Sequence, residues 1–124
     1  MLRSTILITI LSAFSMLSFA QHDPANKLMQ EYRYKEAIEW LDDQPETIDN
    51  LLLKAECYEK LYDYHAAIPV YEKVLAQDTT QLSIIIALAE SNYQAGDSDK
   101  SLAYWIKASQ LSPENTYLQT KKAI

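Results

Sequence analysis

The chain has 124 residues, 48% of them hydrophobic, with one glycine and one cysteine, a balance that fits one small domain of helices joined by short loops. Its formal charge of −6 excludes a basic nucleic-acid-binding face and favours cationic or apolar partners. Cys57 has no second cysteine to pair with, and its place beside Ala55 and Tyr58 on an apolar helix side predicts a buried structural thiol.

Residues 1–20 read as a secretory signal peptide. Arg3 supplies the positive start, Ile6 to Leu17 the apolar run, and Ser18-Phe19-Ala20 a small-x-small cleavage site. The mature chain then begins at Gln21, losing Arg3 takes the charge from −6 to −7, and the destination is the periplasm or the exterior. An uncleaved leader would make the protein membrane-anchored, but a span needs about 20 apolar residues and this run is shorter and broken by Thr9, Ser12 and Ser15. No stable membrane span is expected after cleavage.

Residues 21–47 form a shortened helix pair, with Pro24 suited to a first helical turn and Tyr34, Ala37, Ile38 and Leu41 spaced as a second helix's apolar stripe. Pro45 marks a boundary, and Ile48, Leu51, Leu52, Ala55, Tyr58 and Tyr62 then recur at intervals of three and four, opening a unit over 48–81. Asp63 is placed to cap that unit's second helix, which carries Tyr64, Ala67, Ile68, Tyr71, Val74 and Leu75. Pro69 lies inside it, where loss of a hydrogen bond costs ~3 kcal/mol if unrelieved and predicts a slight bend. Thr79 or Thr80 is the expected cap of the next helix, in a unit over 82–115 whose Ile84 to Ala89 run is apolar on nearly every side. Gly96 supplies its turn, Asp97 or Ser98 its second cap, and Leu102, Trp105, Ile106, Ala108 and Ser109 its second packed face. Ser112 and Pro113 are expected to open a last helix at Glu114, so that 116–124 begin a further repeat or a capping helix. Tyr117, Leu118 and Ile124 then have little to pack on, which predicts self-association through the C-terminal end.

At an offset of 34 residues Ala55 aligns with Ala89, Tyr58 with the Asn92-Tyr93 pair, Tyr71 with Trp105 and Val74 with Ala108. With Leu88, Ala67, Gly96 and Pro113 at their places, the pattern resembles the tetratricopeptide repeat family, in an exported bacterial form. Tyr62, Thr79 and Ser101 depart from it, standing where glycine, proline and alanine are usual. From Ala37 to Ala67 the interval is 30, four short, which is close to one helical turn and leaves the apolar face in phase. The resemblance implies an all-α superhelix, a solenoid of antiparallel helix pairs, preceded by the signal peptide.

The chemistry of catalysis is missing from the sequence. His22 and His65 have no partners at metal-ligand spacing, one glycine cannot build a phosphate loop, and no serine sits in a nucleophile elbow. The reading is therefore not an enzyme, with no cofactor and no metal. The acidic pairs Asp42-Asp43 and Asp97/Asp99 lie where helices end or begin, as solvated or capping residues. The resemblance points instead to a protein or peptide partner held in the groove lined by the first helices. Its partner-binding residues here are Leu52, Glu56 and Glu59 in one unit and Ile86, Glu90 and Tyr93 in the next, a negative trough with apolar anchors. The carboxylate grip of some family members is not implied, because Leu53, Ser83 and Ala87 occupy its places. The function so read is an exported scaffold in envelope complex assembly. The alternatives are a docking arm of a larger enzyme or sensor whose further domain lies beyond Ile124, and an envelope carbohydrate binder using Tyr93 and Tyr104.

Overall fold

A computed structural model describes residues 23–122. The leader read over residues 1–20, together with Gln21, His22 and Ile124, lies outside the described residues. Within them the chain is helical and has no strand: α1 is Pro24–Gln30, α2 Tyr34–Asp42, α3 Ile48–Lys60, α4 Tyr64–Gln77, α5 Leu82–Gln94, α6 Ser98–Leu111 and α7 Thr116–Lys122. Each helix packs on the helices before and after it, and α1 also touches α3. Contact confined almost entirely to chain neighbours is the mark of a helical-repeat solenoid, in which each unit buries its apolar face against the next. The expected all-α repeat architecture is present.

The three helix pairs turn in one way. Tyr32, Tyr62 and Gly96 all have a left-handed backbone, with φ of 60°, 58° and 88°. In each turn the next residue's N–H reaches back to a carbonyl five residues earlier: Arg33 to Leu28 at 2.8 Å, Asp63 to Tyr58 and Asp97 to Asn92 at 2.9 Å. This is the Schellman closure, which satisfies carbonyls left over at a helix end. Two tyrosines thus hold a conformation in which a Cβ is unfavourable by about 1–2 kcal/mol. The repeated hydrogen bonds make the turn the same with or without glycine.

Side-chain caps fix the helix starts. Asp23, Thr47, Asp63 and Asp97 accept the N–H of Asn26, Asn50, Ala66 and Lys100 at 3.1–3.2 Å. Neither Thr79 nor Thr80 caps α5, contrary to expectation. Thr80 turns back to Asp78, giving it both the backbone N–H at 3.0 Å and the hydroxyl at 2.8 Å, and Gln81 stands at the cap position of α5 without a side-chain hydrogen bond. The last helix begins two residues later than the sequence suggests, because Asn115 accepts from Tyr117 at 3.1 Å and Leu118 at 3.4 Å and so becomes its cap. Helix α4 runs unbroken through Pro69. The carbonyl that loses its partner belongs to exposed His65, where water can replace the missing N–H.

The first pair is shortened in both helices: α1 has 7 residues where α3 and α5 have 13, and α2 has 9 where α4 and α6 have 14. Small residues mark where paired helices come close: Ala25, Ala37, Ala55, Ala67 and Ala89 are fully buried, and Ser101 nearly so. Ser101, which departs from the alanine of the repeat pattern, satisfies its hydroxyl on the Ala89 carbonyl at 2.7 Å across the α5–α6 contact. The main core runs from Leu51 through Tyr71, Val74, Ile85 and Leu88 to Trp105 and Leu118. A smaller cluster of Ala37, Ile38 and Cys57 ties α2 to α3, and Tyr58 packs against both. Burial pushes the Cys57 thiol up to about 11, so it stays protonated and unreactive in the folded chain.

Leu118 corrects the expectation for the C-terminal end. It is fully buried in the main core, while Tyr117 meets Trp105 edge to face with ring centroids 6.1 Å apart. Helix α7 closes the end of the core through Leu118, while Tyr117 stays 51% exposed and Ile124 lies outside the described residues.

Candidate functional site

The first helices of the second and third pairs, α3 and α5, present the residues singled out from the sequence. Their shared phase follows from the repeat: Glu56 and Glu90 are 34 apart, as are Leu52 and Ile86, and Glu59 and Tyr93. Leu52 and Ile86 are half-buried and packed against the main core, so they form the floor of this face and offer little free area. Glu56 and Glu90 are exposed, Glu59 is half-buried, and the Tyr93 ring is 66% exposed.

Glu59 responds to its surroundings. Burial raises the Glu59 pKa above the ordinary glutamate range, the neighbouring Tyr71 hydroxyl draws it partly back, and the charges of Glu90 and Glu56 add to the rise. The Tyr71 hydroxyl is itself held well above its usual value, first by burial and then by the same three glutamates. Among the described residues none of Glu56, Glu59 and Glu90 forms an ion pair, whereas Arg33, Lys54 and Lys73 are engaged with Glu31 and Glu36, Asp42, and Glu46. The face is therefore negative, with no direct ion pair on its three carboxylates, although the charge of Lys60 acts on Glu59 and Lys121 shares the wall of Glu59 and Glu90.

A cleft of about 480 Å³ opens beside these carboxylates. Its walls are Glu59, Tyr64, Glu90, Ser91, Tyr93, Gln94, Trp105 and Lys121. It continues past Tyr93 and Trp105 into a second hollow of about 470 Å³ floored by Ser101 and Leu102. Glu59, Glu90 and Tyr93 come together here, while Glu56 lies to the side and Leu52 and Ile86 line neither hollow. Sequence reading missed Tyr64, Trp105 and Lys121 as members of this site. Tyr64 and Trp105 carry the spacing of core aromatics, and Lys121 belongs to a helix too short to show a pattern. The available signal was the 34-residue correspondence of Tyr71 with Trp105, since Tyr71 already stands behind Glu59.

The Glu59 shift has a checkable sign. A carboxyl whose pKa is raised in the fold holds its proton more tightly there, so its stabilising contribution is complete below the ordinary glutamate value and is lost as pH rises through the raised one. Glu59→Gln should match the wild type in melting temperature near about pH 4 and exceed it near about pH 7. A variant less stable than the wild type at neutral pH would show that ionised Glu59 is compensated after all.

Helix pairs in nearest-neighbour contact, one shared turn and buried small residues at each crossing define a tetratricopeptide-like helical-repeat fold. No family model and no curated protein matches the chain. Among solved structures, it is similar to the crystal structure of PcrH in complex with the chaperone binding region of PopB. The TM-score is 0.61 at 18% sequence identity, over 80% of this chain and 83% of that one. This likeness places the fold. Among the described residues no helix is long and apolar enough to cross a membrane.

Proposed function

We propose that the chain is an exported member of the tetratricopeptide repeat family, a non-catalytic scaffold that binds a polypeptide segment across the first-helix face in the assembly of an envelope complex. The observation that carries this reading is the negative face of Glu56, Glu59 and Glu90, none of them in an ion pair among the described residues, beside the exposed ring of Tyr93. Such a face suits a segment with lysine or arginine next to an apolar anchor, because apolar contact supplies affinity while charge selects the partner and speeds encounter. The PcrH structure, whose partner is a binding region of another protein, supports a polypeptide ligand for this fold. The leader read over residues 1–20 supports export.

Affinity capture from the envelope fraction with the tagged chain tests the reading, together with mass spectrometry of the captured bait, which should begin at Gln21. Reversing Glu56 and Glu90 to lysine should weaken the captured partner by about tenfold at low salt and flatten its salt dependence. Tyr93→Ala should weaken it at every salt concentration. A partner that binds the charge-reversed and wild-type chains equally would move the site to another face.

A further inference from the structure

The cleft beside Tyr93 already contains one cation. Lys121, on α7, places its ammonium 5.4 Å from the centroid of Trp105 and 5.4 Å from that of Tyr117, within the distance at which a ring quadrupole attracts a positive charge. Glu59 and Glu90 share the cleft wall with it, yet neither is within ion-pair distance of its ammonium. The aromatic end of the cleft is thus filled and its acidic end is not. A further polar group on the wall is also without a partner: Ser91 is fully buried and its hydroxyl makes no hydrogen bond. An unpartnered buried hydroxyl costs free energy, and this one lies beneath the cleft surface, out of a ligand's direct reach.

We propose that this cleft is the seat of one cationic side chain, lysine or arginine, from the bound polypeptide, and that Lys121 is its tethered mimic, displaced from Trp105 when the ligand enters. The inference rests on the peptide-binding reading above and names what that face recognises. Room and chemistry agree with it. About 480 Å³ lies within the range of small-ligand sites, and the lining offers two carboxylates with no ion-pair partner among the described residues and the ring of Tyr93. The aliphatic stem of a lysine or arginine can lie along the Trp105 and Tyr93 rings while its head meets Glu59 and Glu90. Lys121 is tied to this position only through α7, a helix of 7 residues, so its withdrawal disturbs little else. A ligand must compete with it, which lowers the affinity of weak cations and leaves that of a well-anchored segment high.

The test uses N-acetyl-lysine methylamide, its arginine counterpart and the uncharged norleucine counterpart as probes, titrated into the whole chain with the Trp105 indole resonance as readout. The lysine and arginine amides should shift that resonance saturably and the norleucine amide should not. Lys121→Met keeps the stem and removes the competing charge, and should tighten both cationic probes by about three- to tenfold. Lys121→Arg keeps a cation over the rings and should bind them as the wild type does. Glu59→Gln with Glu90→Gln should weaken them by about tenfold. Equal shifts from the norleucine amide, or a Lys121→Met chain that binds the cations no better than the wild type, would overturn the proposal. If the cationic amides bind here but no polypeptide is captured, the scaffold reading fails and the cleft stands. If a captured polypeptide binds with the same affinity to Lys121→Met as to the wild type, the cleft proposal fails alone.

Discussion

Replacing Leu118 by alanine should cost about 2–5 kcal/mol and release α7 from the rest of the chain. Leu118 is the one buried residue of that helix and is fully enclosed by the main core. A helix of 7 residues has no stability of its own in water, so its place depends on that side chain. In a nearest-neighbour solenoid the damage is local: the α6–α7 contact is lost first, and the pairs before it persist until their own interfaces fail. Amide exchange should accordingly reach open-chain rates over Thr116 to Lys122 while protection remains in α3 and α4. Tyr117→Ala, which removes a half-exposed ring and its edge contact with Trp105, should cost less, about 0.5–1.5 kcal/mol. Equal stability of Leu118→Ala and wild type in urea would contradict the role of α7 as the closure of the core.

The second large effect is expected at the α5–α6 crossing. Ala89 is fully buried, and its carbonyl takes the Ser101 hydroxyl at 2.7 Å, so the first turn of α6 lies directly against the backbone of α5. Ala89→Leu would push three further carbons into that contact. The helices must then separate, which breaks the Ser101 bond and loosens Trp105 and Ala108 further along. Overpacking of this kind costs about 1–3 kcal/mol, to which the orphaned Ser101 hydroxyl adds about 1 kcal/mol. Ala103→Leu, the same change on the exposed side of α6, should stay within about 0.5 kcal/mol of the wild type. Denaturant midpoints of the two variants decide the matter, and similar values would mean that the crossing has slack.

Three short motifs account for how the helices are arranged, and each was legible to a different degree. The buried alanines were plain, because a small residue recurring at 34 with aromatics at fixed distances is a local pattern that repeat packing turns directly into contact. The left-handed turns were only partly so. Gly96 announces its conformation, while Tyr32 and Tyr62 conceal theirs, since the hydrogen bonds to Leu28 and Tyr58 that hold them there are visible only once the helices have formed. The cap of α5 was misread at Thr79 and Thr80 because Asp78 takes both the N–H and the hydroxyl of Thr80 in a local turn that precedes the helix.

What the sequence determined by itself is whatever repeats. Helix phase, the close crossings at Ala55 and Ala89, and the gathering of Glu56, Glu59 and Glu90 on one face all follow from spacings of three, four and 34, because neighbouring units of a solenoid meet in the same way each time. What only the tertiary structure decided lies where the repetition stops. Leu118 is buried and Lys121 sits over Trp105 and Tyr117 because α7 folds back onto α6 and brings its last turn to the cleft wall. Leu118 keeps the 34-residue interval from Ile84, yet the packing of a 7-residue helix is set by the surface it meets.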